Sequence, residues 1–112
     1  MDIQELFRTM VGHSASDLYL TVGRPAMYRI EGTIKPIGNH EYRPEELENL
    51  VQSIMNERQR REFAETMEMN MALSLAEVAR FRVNIFQQRG SVGMVIRRIK
   101  AEVMSLDELA AS

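Results

Sequence analysis

The stretch Met67-Glu68-Met69-Asn70-Met71-Ala72-Leu73-Ser74-Leu75 places an apolar residue at every second position. That is the two-residue period of a half-buried β-strand, in which successive side chains point to opposite faces. A second stretch follows closely, Ala79-Arg80-Phe81-Arg82-Val83-Asn84-Ile85-Phe86, with the same alternation. Gln87-Gln88-Arg89-Gly90 then turns the chain, and Val92 to Ile99 returns as a third strand. Three strands in direct succession leave no room for the helical crossovers that a parallel sheet needs. The sequence therefore predicts antiparallel pairing over its last third. Core filling is the expected role of the Met-rich face, with a ligand or partner surface as the alternative, since Met adapts its shape.

Upstream of this meander the period changes to that of a helix. Asn56 stands as an N-cap with Gln59 at the capping-box position, opening a helix to about Ala64. Its cations Arg58, Arg60 and Arg61 read as a solvated face. Before it, Pro44 sits at a first helical position, and Leu47, Leu50, Val51 and Ile54 form one apolar stripe. Further upstream, Leu18, Leu20 and Val22 alternate with Tyr19 and Thr21, giving a strand that Gly23-Arg24-Pro25 ends. Tyr28 and Ile30 belong to a second strand and Thr33 to Ile37 to a third, whose Pro36 suits a sheet edge. At the start, Asp2 and Glu5 make a capping box for a helix with Ile3, Leu6, Phe7, Met10 and Val11 on one face and Gly12 as its stop. After the meander, Leu106 and Leu109 read as the start of another helix. The expected order is helix, three strands, two helices, three strands. This is an α+β fold with a mostly antiparallel sheet of about six strands and helices packed on it.

Composition narrows the function classes. The chain has 112 residues and 45% hydrophobic residues, enough for one ordinary domain. It has no cysteine, which excludes thiolate catalysis, disulfides and cysteine-held metals. No metal site is expected, because His13 and His40 stand in no ligand spacing. No P-loop pattern and no G-x-G-x-x-G occurs, so nucleotide hydrolysis by this chain alone is not expected. Ser14, Ser16 and Asp17 lack the elbow of a nucleophilic serine, and Asp17 reads as a turn or capping residue. A net charge of −2 and the absence of interleaved aromatic and basic residues argue against nucleic acid. No apolar run reaches membrane-spanning length, and the acidic N-terminus is unlike a signal peptide, so a cytoplasmic location without membrane insertion is expected.

One feature calls for a ligand or for water. Arg80 and Arg82 share a strand face. If Arg89-Gly90 is a two-residue turn, paired positions sum to 179 and Arg97 falls directly opposite Arg82. An odd turn length would put Arg98 there instead. Like charges opposite one another on a sheet are destabilising. The three arginines are therefore either splayed into solvent or gathered around an anion, and an arginine fork suits phosphate. The pattern alone leaves both readings open.

The chain resembles, in order and over nearly its whole length, the N-terminal domain of the type IV pilus retraction (twitching motility) ATPases, the PilT/PilU family. The resemblance is carried by Ser16-Asp17-Leu18-Tyr19-Leu20-Thr21-Val22-Gly23-Arg24-Pro25-Ala26-Met27, by Asn56-Glu57-Arg58-Gln59-Arg60-Arg61-Glu62-Phe63 and by Ala79-Arg80-Phe81-Arg82-Val83-Asn84 with Phe86. The return strand Gly93 to Ile99 and the segment Leu106-Asp107-Glu108-Leu109 complete it. Arg60 to Glu65 and Val92 to Val95, with the Arg97-Arg98 pair, are closer to the PilU branch. Two departures stand out: Tyr19 replaces the family's common His, and Glu77-Val78 replaces a small residue before the arginine strand.

The resemblance implies a PAS-like domain over residues 1–104 and, over 105–112, the start of a linker to a RecA-like motor domain beyond this sequence. It implies a hexameric ATPase, with Arg80, Arg82 and Arg97 contacting nucleotide phosphates held by the motor domain and coupling ATP turnover to domain motion. ATP and Mg would serve the full-length protein, and no cofactor is expected for this part. The implied partners are the protein's own motor domain, neighbouring subunits, the pilus platform and a paralogous retraction ATPase, in the bacterial cytoplasm at the base of the pilus machine. The alternative is a PAS-like small-ligand or protein-interaction module with no part in nucleotide chemistry.

Overall fold

The computed structural model describes residues 2–75 and 78–99. Its elements run α1 (Ile3–Gly12), β1 (Ala15–Leu20), β2 (Met27–Ile30), β3 (Thr33–Pro36), α2 (Pro44–Ile54), α3 (Glu57–Thr66), β4 (Glu68–Leu75), β5 (Ala79–Gln88) and β6 (Ser91–Ile99). The six strands form one sheet in the order β3-β2-β1-β6-β5-β4. Every pairing in it is antiparallel. The α+β expectation, with about six strands and helices packed on them, holds. The short strand with Pro36 lies at one edge, where a residue without an N–H costs the ladder least. The expected helix at Leu106 and Leu109 lies outside the described residues.

Helix starts follow the side chains that the sequence supplies. Asp2 accepts from the Glu5 N–H at 2.9 Å and Glu5 accepts in return from the Asp2 N–H at 3.2 Å. Asn56 and Gln59 repeat this exchange at the start of α3. Each such box satisfies two donors that the first turn of a helix leaves unpaired. The end of α2 is met from α3. The Arg60 guanidinium donates to the Gln52 carbonyl at 3.0 and 3.2 Å, so one member of the expected solvated face has a structural task.

Several boundaries differ from the sequence reading, two of them with a clear cause. Met67 is not the first residue of β4 but the left-handed cap of α3, with φ of 65° and its N–H on the Phe63 carbonyl. It is half exposed, outside the alternating face. The first strand runs Ala15–Leu20 rather than through Val22, because Arg24 N–H turns back onto the Thr21 carbonyl and Gly23 N–H is taken by Tyr42.

The core lies between the helices and one face of the sheet. Leu18, Leu20, Phe81, Val83, Ile85, Met94 and Ile96 from the strands meet Leu6, Phe7, Met10, Leu47 and Val51 from α1 and α2, all essentially inaccessible. Phe7 stacks on Phe81 with ring centroids 4.0 Å apart. Along β4 the Met-rich face does fill core, though unevenly: Met69 is buried, while Met71, Leu73 and Leu75 are half-buried against it. That gradient follows from the position of β4 at the sheet edge.

Candidate functional site

The other face of the sheet carries the candidate residues, and strand register puts them in one row. Arg82 on β5 pairs with Arg97 on β6, Arg97 with Asp17 on β1, and Asp17 with Arg29 on β2. The row continues to Ala72 on β4 and Ile34 on β3, so it crosses all six strands at right angles. Side chains directly opposite in such a ladder have Cβ atoms about 5 Å apart. Three arginines and one aspartate thus share a strip roughly 15 Å long, three inter-strand spacings.

The hairpin that sets this register is the two-residue turn Arg89-Gly90. Gln88 pairs with Ser91 across it, and φ is 55° at Arg89 and 79° at Gly90. Both values are positive, as a type I′ turn requires, and that turn matches the twist of the flanking strands. The even turn length keeps Arg97 on the open face. Its neighbour Arg98 goes to the helix-side face opposite Phe81.

Asp17 is the centre of the row. It is 7% exposed and is the one charged residue buried among the described residues. Its Oδ2 accepts from Arg29 Nε at 3.1 Å and from the Tyr19 hydroxyl at 3.2 Å. Its Oδ1 accepts from Arg97 Nε at 3.4 Å. The Tyr19 hydroxyl accepts in turn from Arg29 Nη2 at 3.1 Å. The arginine charge is held more firmly for it: the Tyr19 hydrogen bond, with Asp17 behind it, raises the pKa of Arg29 above its usual value. A carboxylate removed from water needs such partners, since an unpaired buried charge costs several kcal/mol.

This corrects the reading of Asp17 as a turn or capping residue. It lies inside β1, where the register shifts between Ala15 and Asp17. That bulge brings Ala15 onto the core face with Leu18, while Asp17 stays on the open face, where Arg29, Tyr19 and Arg97 are its hydrogen-bond partners. Sequence reasoning missed the site because the arginine partners of Asp17 come from two other strands, one of them eighty positions away. Tyr19, singled out only as a departure from a family pattern, is part of the same network.

The three predicted site residues are not equivalent. Arg80, Arg82 and Arg97 all lie on the open face and are exposed. Arg97 is held by Asp17. Arg80 and Arg82 have no hydrogen-bond or ion-pair partner among the described residues; their strand neighbours on β4 are Ser74 and Ala72. Four residues along the same face, the Phe86 ring covers Gly93, and a Cβ added there would come within 2.7 Å of two ring carbons. His40 is elsewhere, bonded to Glu46 at 2.8 Å. Among the described residues no cluster of three or more His, Asp or Glu side chains could hold a metal ion. The face offers exposed guanidinium donors, a donor type whose planar fork matches an oxyanion.

Fold and site together define an α+β module with one sheet face packed and the other open and rich in arginine. Comparison with known proteins shows what it is similar to. The chain is 42% identical over 109 residues to the type IV pilus ATPase PilU of Pseudomonas aeruginosa, a match spanning 97% of this chain and 28% of that protein. It is 38% identical to the pilus retraction ATPase PilT of the same organism, again over 97% of this chain and 32% of that one. The crystal structure of the pilus retraction motor PilT with bound ADP superposes on all of this chain and 33% of its own, with a TM-score of 0.82 and 32% identity. No family profile matches the chain. The chain is similar to the N-terminal region of the PilT/PilU pilus retraction ATPases, and it spans about a third of the length of these relatives.

Proposed function

We propose that the chain is the non-catalytic N-terminal module of a hexameric type IV pilus retraction ATPase. Its motor domain, a RecA-like P-loop unit, follows beyond this sequence, with residues 105–112 as the start of the linker. In this reading Arg80, Arg82 and Arg97 donate to the phosphates of a Mg-bound ATP that the motor domain holds, and their engagement couples hydrolysis to movement between the domains. Neighbouring subunits of the ring, the pilus platform and a paralogous retraction ATPase are its partners in the cytoplasm.

The observation that carries this reading is the direct pairing of Arg82 with Arg97 on an open sheet face. Two like charges so placed repel each other. A polyphosphate between them would turn that repulsion into attraction, as an arginine contact does for the charge of a transferring phosphoryl group. The similarity to ATPases, one of them solved with ADP, supports a nucleotide phosphate as that anion. The test is ATP hydrolysis by the full-length protein. Arg82→Ala and Arg97→Ala should each lower turnover by roughly tenfold or more, short of the 10³–10⁵ of a complete arginine finger. Unchanged turnover in both would remove the phosphate role.

A further inference from the structure

We infer that Asp17 is a positioning residue for phosphate recognition, fixing Arg97 so that one defined edge of its guanidinium faces the anion; this rests on the phosphate reading of the arginine face. An arginine has two donor edges that can grip an oxyanion with a pair of hydrogen bonds, one formed by Nε and Nη2, the other by Nη1 and Nη2. In Arg97 the Nε donor is taken by Asp17 Oδ1 at 3.4 Å, while the side chain as a whole is 69% exposed. The Nη1–Nη2 edge is the one left for a ligand.

Asp17 is itself well fixed. It sits in β1 and is 7% exposed, with Arg29 Nε and the Tyr19 hydroxyl on its other oxygen. Arg82, one strand further along the row, has no such anchor among the described residues. The row thus pairs a tethered arginine with a free one. A long side chain ordered before the ligand arrives need not be ordered by it, and that saving goes into affinity. The same carboxylate also offsets the repulsion between Arg82 and Arg97 while no phosphate is present.

The proposal makes a prediction opposite in sign to simple electrostatics. Asp17→Asn removes a negative charge next to the arginines, so charge alone would make an added anion bind more tightly. Loss of positioning makes it bind more weakly, by about three- to tenfold if one long side chain must now be ordered on binding. The experiment titrates inorganic tripolyphosphate into the isotope-labelled chain and follows the arginine Nε–H resonances. In the unaltered protein the Arg82 and Arg97 signals should both move with the anion, and the Arg97 Nε–H should exchange slowly with water. In Asp17→Asn the Arg97 signal should lose that protection and the titration should weaken, while Asp17→Glu restores part of both.

Equal or tighter binding by Asp17→Asn would overturn the positioning role and leave the phosphate reading standing. Absence of any response at Arg82 and Arg97 in the unaltered chain would overturn the inference, while the phosphate reading stands or falls separately on the ATP turnover of full-length Arg82→Ala and Arg97→Ala. If Asp17→Asn does not fold, Asp17→Glu decides, since it keeps the charge and the arginine fork but displaces the carboxylate that holds Arg97 Nε. Weaker binding by that variant supports the inference, and unaltered binding overturns it.

Discussion

The two faces of the sheet use one backbone for opposite ends. On the covered face, Leu18, Tyr28, Phe81, Val83 and Ile96 are buried against helices. On the open face, the same strands present Arg29, Arg82 and Arg97 around a single buried carboxylate. Residues one position apart, such as Phe81 and Arg82, therefore answer to different physics. The first is held by area removed from water, the second by what charge it meets. The lesson is that stability and recognition are separable here by parity along a strand.

The strongest way to break this comparison is to cut into the covered face. Phe81→Ala removes a fully buried ring stacked on Phe7 and should cost about 3–5 kcal/mol, read as a lowered urea midpoint. A smaller effect separates the faces by pH. Burial, then the nearby Tyr42, pushes the Tyr28 hydroxyl from its ordinary 10.0 to about 12, against a Thr9 hydrogen bond that lowers it. The folded state then holds that proton more tightly than the unfolded chain. The stabilisation is complete below pH 10 and is lost as pH rises toward 12, a fall of about 2 kcal/mol. Tyr28→Phe should flatten the larger part of that slope in denaturation curves. The least effect on stability belongs to the open face. Arg82→Ala should change the unfolding free energy by no more than about 0.5 kcal/mol, and upward if the Arg97 repulsion dominates. A loss of several kcal/mol there would dissolve the distinction between the faces.

Much of this was legible from residue order. The alternation of Phe81, Val83 and Ile85, the capping pairs Asp2–Glu5 and Asn56–Gln59, and the Arg89-Gly90 turn are local signals, and the elements they imply are present. The placement of Arg97 opposite Arg82 followed from counting through that turn. What stayed hidden was long-range or irregular. Asp17 meets Arg97 eighty positions away in sequence, through the non-sequential pairing of β1 with β6. Its other arginine partner, Arg29, comes from β2, and the bulge between Ala15 and Asp17 is announced by no residue type. Met67 followed the alternation perfectly yet became a helix cap, because the capping geometry of α3 outweighed one more strand residue.

The Arg89-Gly90 hairpin also sets a rule for how such a domain can change in length. The pairing of Gln88 with Ser91 across it is what brings Arg97 opposite Arg82. A residue inserted within a longer loop would leave that pairing and the arginines where they are. A slip of the pairing by one residue would instead carry Arg97 toward the helices and bring Arg98 out in its place. A turn some distance from the arginines thus acts as their parity check.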